Sequence, residues 1–113
     1  MTSREFRYLA LSLPEVTEQS HFSHPDFRVR GRIFASLNYP RKGWGMVKLN
    51  PKEQRQFVAD DPKTFVPAPG KWGVRGATTV HLPHLTKAAA RKALASAWRN
   101  TAPSRLTDRL AVQ

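Results

Sequence analysis

The sequence predicts an α+β fold, because it combines a strongly alternating strand segment with helices whose starts are clearly signalled. The strand segment is Phe27 to Leu37, FRVRGRIFASL, in which nearly every odd position is apolar. The clearest helix start is Asn50-Pro51, a capping residue and a proline at the first helical position, with Glu53 completing a capping box. At 113 residues the chain fits one domain, residues 1–113, with one ordinary core.

The alternating segment is typical of a hairpin with one buried face. The apolar side holds Phe27, Val29, Ile33, Ala35 and Leu37, the polar side holds Arg28, Arg30, Arg32, Ser36 and Asn38, and Phe34 alone breaks the pattern. Gly31 marks the reversal, and two registers are open. A three-residue loop ending at Gly31 pairs Arg28 with Arg32, whereas a two-residue Arg30-Gly31 turn sets Phe27 opposite Phe34. Both registers project the three arginines from the tip and outer face.

The segments before this hairpin predict a helix and little other regular structure. Thr2 and Glu5 form a capping box, and an apolar face of Phe6, Leu9, Ala10 and Leu13 recurs until Pro14. Residues 15–20 read as a connector. Between His21 and Phe27, Pro25 restricts any strand to a short or edge position.

The middle of the chain predicts a loop, a strand and a second helix. Asn38 to Gly43 is rich in turn residues and carries Arg41 and Lys42. Trp44 to Leu49 alternates again, with Trp44, Met46 and Lys48 on one side. The helix that starts at Asn50 runs to about Ala59, with Phe57 and Val58 as its apolar side.

The glycine-rich stretch from Phe65 to Gly76 predicts a second wing-like loop that carries Lys71, Trp72 and Arg75. Ala77 to Leu82 is β-branched and predicts a central strand. Thr86 caps a last helix whose buried stripe is Ala90, Leu94, Ala97 and Trp98, and Pro103 ends it. The tail from Ser104 to Gln113 predicts a short helical turn or a frayed end.

The charge balance points to a polyanionic partner. Lys and Arg total 19 against 8 acidic residues, a net charge of +11, whereas small soluble domains usually carry about 2 to 8. Phe27 to Lys52 contains seven basic and no acidic residues, and Pro62 to Thr107 contains eight and none. Nucleic acid is therefore the leading partner class.

Several other classes of protein are disfavoured. Without cysteine there are no disulfides or thiolate metal sites, and no window approaches the apolar length of a membrane span. The N-terminus lacks a leader pattern, so we expect a soluble cytoplasmic protein that does not associate with membranes. A monomer is favoured.

Candidate catalytic and metal-binding residues are few. Two His-x-x-His pairs, His21 with His24 and His81 with His84, could join Asp26 around zinc, but residues three apart on a strand face opposite sides. Metalloprotease, nucleotide-cradling and serine-elbow motifs are absent from the sequence. We therefore predict that the protein has no metal site and no cofactor and is not an enzyme.

The tryptophans differ in their expected positions. Trp98 lies on the buried stripe of the last helix, and Trp44 is assigned to the core more readily than to the surface. For Trp72, packing against its loop and exposure for base stacking are equally open.

The order of motifs resembles the MmcQ/YjbR family, described on the basis of structural shape as DNA-binding proteins with a double-wing motif. The segments that carry the resemblance are LSLPEV, HPDFRVRGRIFASL, VKLNPKEQ, PAPGKWGVRGATTVHL and AWRNTAPSRL. The resemblance implies a frataxin-like (CyaY-like) α+β sandwich, an antiparallel sheet with helices packed on one face. It also implies two hairpin wings, centred here on Gly31 and on residues 73–76. It transfers no catalytic residues.

These observations lead to the hypothesis of weak, largely sequence-independent nucleic-acid binding, with DNA as the first candidate. The predicted contact residues are Arg28, Arg30, Arg32, Arg41, Lys42, Lys71, Trp72 and Arg75. Removing the three arginines of the first wing is expected to weaken binding with little effect on stability. The alternative is a non-enzymatic module that binds an acidic protein or a small anion. Duplex or single strand, and DNA or RNA, remain open.

Overall fold

The computed structural model describes residues 1–112, with side chains described as far as Asp108. The helices are α1 (Ser3–Leu11), α2 (Pro51–Asp60), α3 (Gly70–Val74), α4 (Lys87–Thr101) and α5 (Ser104–Val112). The strands are β1 (Val16–His21), β2 (His24–Val29), β3 (Arg32–Leu37), β4 (Trp44–Lys48), β5 (Phe65–Pro67) and β6 (Ala77–His81), and a 3-10 turn spans Leu82–His84.

The six strands form one antiparallel sheet in the order β1-β2-β3-β4-β6-β5. The first four strands follow one another as neighbours. β6 then inserts between β4 and β5, so that the predicted central position of this strand is confirmed. None of the helices within residues 1–112 is long and apolar enough to cross a membrane.

The two faces of the sheet differ, because residues directly opposite each other on antiparallel strands point to the same side. The row Phe27, Ala35 and Val47 belongs to the main core, against which α1 and α4 pack. The row Asp26, Ser36, Met46 and Thr79 lies on the other face. The predicted fold class, an antiparallel sheet with helices packed against it, is confirmed. The short α3 is an addition to it, and it lies beside a small second cluster of Met46, Ala68 and Ala77.

Of the two turns that the sequence allowed for the first hairpin, the structure has the two-residue turn. Arg30 and Gly31 both have positive φ, 51° and 79°, and form a two-residue turn that pairs Val29 with Arg32. The register then shifts, and Phe27 pairs with Ala35 instead of Phe34. Phe34 is thus the extra residue of a β-bulge, which explains why it broke the alternation.

The bulge also corrects the predicted buried face of this hairpin. Phe34 and Ala35 are both fully buried in the main core. Ile33 was predicted on the buried side, but it pairs with Arg28 on the opposite face and is only half-buried. A single inserted residue is enough for this, because it reverses the side to which every preceding residue points.

The prediction of a connector at residues 15–20 was wrong, because Val16–His21 is the edge strand β1. Its four middle residues are exposed, and such a strand has no apolar alternation to reveal it. β2 is therefore an interior strand. Pro25 fits there because the pairing with β3 begins only at Asp26, which leaves Pro25 a strand neighbour on one side only.

The prediction of a second wing-like loop was also wrong. Residues 65–76 contain β5 and the helix α3, which is held down by the buried Gln54 amide donating to the carbonyl oxygens of Gly73, at 2.9 Å, and of Ala77, at 3.0 Å. The glycines allow close packing. A Cβ on Gly73 would lie 1.6 Å from the Ala68 carbonyl oxygen, and one on Gly76 would lie 2.0 Å from that of Leu49.

The helix predictions were more accurate. Both predicted capping boxes, Thr2 with Glu5 and Asn50 with Glu53, are present, and the Thr86 side chain accepts from Ala89 N. α1 ends at Leu11, two residues before the predicted end at Leu13. The predicted stripe of α4 is buried. In the tail, α5 exceeds the predicted short turn, and Gln113 lies outside the described residues.

Candidate nucleic-acid interface

The loop Asn38 to Gly43 and the helix α3 meet on the sheet face opposite α1 and α4. The rings of Tyr39 and Trp72 lie 5.5 Å apart at 73°, an edge-on contact. Tyr39 also packs on the second cluster, which includes Met46. This contact joins two segments that are more than thirty positions apart in the sequence.

Four cations lie on the two segments that this contact joins. Arg41 and Lys42 are exposed on the loop, Lys71 is exposed on α3, and Arg75 is exposed at the C-terminal cap of α3. Among the residues with described side chains, none of the four has a carboxylate within salt-bridge distance. The Arg41 guanidinium lies 5.8 Å from the centre of the Trp44 ring, within the range of a cation–π interaction. We call Arg41, Lys42, Lys71, Trp72 and Arg75 the loop–α3 surface.

A groove of about 490 Å³ borders this surface and is lined in part by Trp72, Arg75, Lys48 and Asn100. Burial lowers the pKa of Lys48, and the nearby charge of Arg32 lowers it further. The negative charge of a phosphate bound beside Lys48 would favour the protonated amine and so raise this pKa again. The Asn100 amide donates to the Lys48 carbonyl oxygen at 3.1 Å and to Glu53 Oε1 at 2.8 Å, which ties α4 to the groove.

Two of the three predicted arginines of the first wing are already paired within the chain. Arg30 Nε donates to Glu15 Oε1 at 2.7 Å. Arg28 Nε donates to Asp26 Oδ1 at 2.8 Å, and Arg28 Nη2 donates to Asp26 Oδ2 at 3.1 Å. Arg32 is exposed and, within the described part of the chain, has no carboxylate partner. The first wing therefore presents one uncompensated charge where the sequence suggested three.

The carboxylate of Asp26 is fully buried on the sheet face. Burial raises the pKa of Asp26, but the hydrogen bonds from Arg28 and His21 outweigh this and hold the pKa below its usual value. His21 Nδ1 lies 2.7 Å from Asp26 Oδ2. Asp26 thus remains an anion whose charge is balanced by its neighbours.

Aromatic rings continue from the loop–α3 surface towards the first turn of the sheet. The centroid distances are 6.3 Å from Tyr39 to His24, 5.9 Å from His24 to His21 and 6.1 Å from His21 to Phe22. His21 and His24 are directly opposite each other, because a two-residue turn at Phe22-Ser23 joins β1 and β2. The His-x-x-His spacing could have indicated this turn, but β1 was not recognised from the sequence.

The other histidine pair packs on Trp44. The ring centroids of Trp44 and His81 lie 4.7 Å apart, and His81 Nδ1 is 3.1 Å from His84 Nδ1. No group of three possible metal ligands occurs among the described residues. Trp44 is half-buried. Trp98 is fully buried, as predicted, and donates to the Pro14 carbonyl oxygen at 3.1 Å.

A second groove, of about 510 Å³, lies between α2 and α4. Its lining combines the cations Arg91, Lys92 and Arg99 with the carboxylates of Glu53 and Asp60. The mixed charge makes it less suitable for a polyanion than the loop–α3 surface, and its cations provide a matched control for binding experiments.

Comparison with known proteins supports the fold that this geometry describes. The YjbR family model matches residues 11–100. The chain belongs to the YjbR family. Among solved structures, it is similar to the Deinococcus radiodurans protein DR2400, which has a DUF419 family domain. The TM-score is 0.74 at 15% identity, with 97% of this chain and 88% of that chain covered. At this identity the likeness shows the fold alone. No curated protein matches the chain.

Proposed function

We propose that this YjbR-family protein is a non-enzymatic nucleic-acid-binding protein and that it binds through the loop–α3 surface. The observation that carries the proposal is the contact between Tyr39 and Trp72, because it joins the two segments that carry the four cations of the loop–α3 surface, none of which has a carboxylate partner among the described side chains. Trp72 is 38% exposed. Cations neutralise phosphates and an indole face stacks on a base, so the surface suits both parts of a nucleotide.

The internal ion pairs make some of the predicted contact residues less available to a phosphate than others. Arg28 and Arg30 would have to leave Asp26 and Glu15, or share them, to reach a phosphate. Arg41, Lys42, Lys71 and Arg75 do not bear this cost. We therefore assign the main phosphate contacts to the loop and α3, with Arg32 as the contributor from the first wing.

The expected affinity is low and largely independent of sequence, because side chains that hold phosphates position the ligand without reading bases. Non-specific complexes of this kind have dissociation constants on the order of 10⁻⁴ to 10⁻⁶ M at physiological salt.

Salt dependence is the first test. If the four cations of the loop–α3 surface each neutralise a phosphate, a plot of log K against log salt should have a slope between about −3 and −4. Fluorescence anisotropy of a labelled oligonucleotide from about 50 to 200 mM KCl measures the slope. A flat plot would refute the proposal and favour the acidic-protein or small-anion alternative.

A pair of charge-matched variants separates a specific surface from bulk charge. We expect the variant Arg41→Ala, Lys42→Ala, Lys71→Ala, Arg75→Ala to lose roughly tenfold or more in affinity, as expected from the loss of several phosphate contacts. Its control is Lys87→Ala, Arg91→Ala, Lys92→Ala, Arg99→Ala on α4, which removes the same charge from exposed positions. Equal losses in the two variants would mean that binding senses only net charge.

A further inference from the structure

Five aromatic rings form a continuous series of contacts on the sheet face opposite α1 and α4. The series runs through Phe22, His21, His24, Tyr39 and Trp72, with neighbouring centroids 5.5 to 6.3 Å apart. We call it the aromatic track. Its two ends are the exposed rings, Phe22 at 92% and Trp72 at 38%, and its three middle rings are half-buried.

We propose that the preferred ligand is single-stranded nucleic acid, whose unpaired bases stack along the aromatic track. This inference rests on the proposed function, and it adds the class of nucleic acid and a second set of contact residues. Base-on-ring stacking needs a base with a free face, and in a duplex each face is covered by the neighbouring base pair.

The spacing of the rings supports an unstacked strand. Bases stacked within a duplex strand rise by about 3.4 Å, whereas neighbouring rings of the track are 5.5 to 6.3 Å apart. Bases that occupy successive rings must therefore separate from one another, which a flexible single strand does more readily than a duplex.

Phe22 is the most unusual member of the track. It has a positive φ of 46°, which bulky residues rarely adopt, and it occupies the first position of the β1–β2 turn. Within the described part of the chain, its ring contacts one other aromatic ring, that of His21, with centroids 6.1 Å apart and planes at 79°. An apolar ring held outside the core in a strained turn is a candidate for ligand contact.

Charge complementarity favours a polyanion over an apolar partner. The two segments that meet at the Trp72 end of the track carry the cations of the loop–α3 surface. Asp26, the carboxylate next to the middle of the track, is buried and compensated by Arg28 and His21, so it offers little repulsion to a phosphate. The strand would thus have bases on the rings and phosphates near Arg41, Lys42, Lys71 and Arg75.

The test compares one oligonucleotide in two forms at one salt concentration. Fluorescence anisotropy measures the dissociation constants of a labelled mixed-sequence single strand and of its duplex. We expect the single strand to bind at least about tenfold more tightly, because each stacked base increases the affinity on the order of tenfold. If the duplex binds as tightly or more tightly, this inference is overturned and the proposed function stands. If neither form binds, the proposed function itself fails.

A variant tests whether the track is the cause of the preference. Phe22→Ala should weaken single-strand binding by roughly 5- to 100-fold, the usual effect of losing one stacking ring, and leave duplex binding unchanged. Tyr8→Ala is the control, because Tyr8 is 73% exposed but belongs to α1, which packs on the other sheet face. If Phe22→Ala binds the single strand as tightly as the wild type does, the bases do not stack on the aromatic track. The same conclusion follows if Phe22→Ala and Tyr8→Ala lose equal affinity for the single strand.

Discussion

Gly73→Ala will destabilise the protein strongly and disrupt the loop–α3 surface, whereas Gly70→Ala on the same helix will have a smaller effect. A Cβ on Gly73 would lie 1.6 Å from the carbonyl oxygen of Ala68, a backbone atom that cannot rotate away. α3 must then move, and the hydrogen bond from the Gln54 amide to the Gly73 carbonyl is lost with it. Overpacking of this kind costs about 1 to 3 kcal/mol and occasionally more, and we expect the upper end.

Gly70 is the matched control because it isolates backbone strain from steric overlap. Its φ is +73°, but a Cβ there would meet nothing within 4 Å. An L-residue in this conformation costs roughly 1 to 2 kcal/mol. Urea denaturation followed by circular dichroism measures both variants, and oligonucleotide anisotropy then reports the surface. If Gly73→Ala and Gly70→Ala are equally stable, α3 does not pack closely against the Ala68 carbonyl at Gly73.

Arg28→Ala should lower the melting temperature far more than Arg32→Ala, although both arginines lie on the same hairpin. Arg28 donates two hydrogen bonds to the fully buried carboxylate of Asp26, and removing it leaves this buried charge with His21 as its remaining partner among the described side chains. Arg32 is exposed and has no such partner in the described chain. The expected loss for Arg28→Ala is on the order of 10 °C for a domain of this size. This replaces, for Arg28, the expectation that the arginines of the first wing do not affect stability.

The pH dependence provides a second measurement on the same variant. The pKa of Asp26 is lowered in the folded protein, so its contribution to stability is fully present above the unfolded value of about 3.9 and is lost as the pH falls through the folded pKa. Without Arg28, burial opposes ionisation of Asp26. The gap in melting temperature between wild type and Arg28→Ala should therefore narrow below about pH 4. A constant gap across pH would exclude the ion pair as its cause.

The candidate site was only partly predictable, since the sequence shows which charges exist but not which of them are already paired. Lys71, Trp72 and Arg75 were identified from the composition of their segment, and Arg41 and Lys42 from a turn-rich loop. The charge of Arg30 is paired with Glu15, fifteen residues earlier in the chain. The pairing of Arg28 depends on the direction of the Asp26 side chain. The aromatic track depends on β1, whose polar sequence gave no strand signal.

The sequence by itself determined the elements whose signals lie within a few residues. Helix starts at Thr2, Asn50 and Thr86 depend on hydrogen bonds three residues away, and the burial of Trp98 follows from helical periodicity. The tertiary structure alone decided the bulge at Phe34, the packing of α3 and the contact between Tyr39 and Trp72. Each of these depends on partners far apart in the chain, and the free energy of such contacts is fixed by the register and packing of the whole sheet rather than by local sequence.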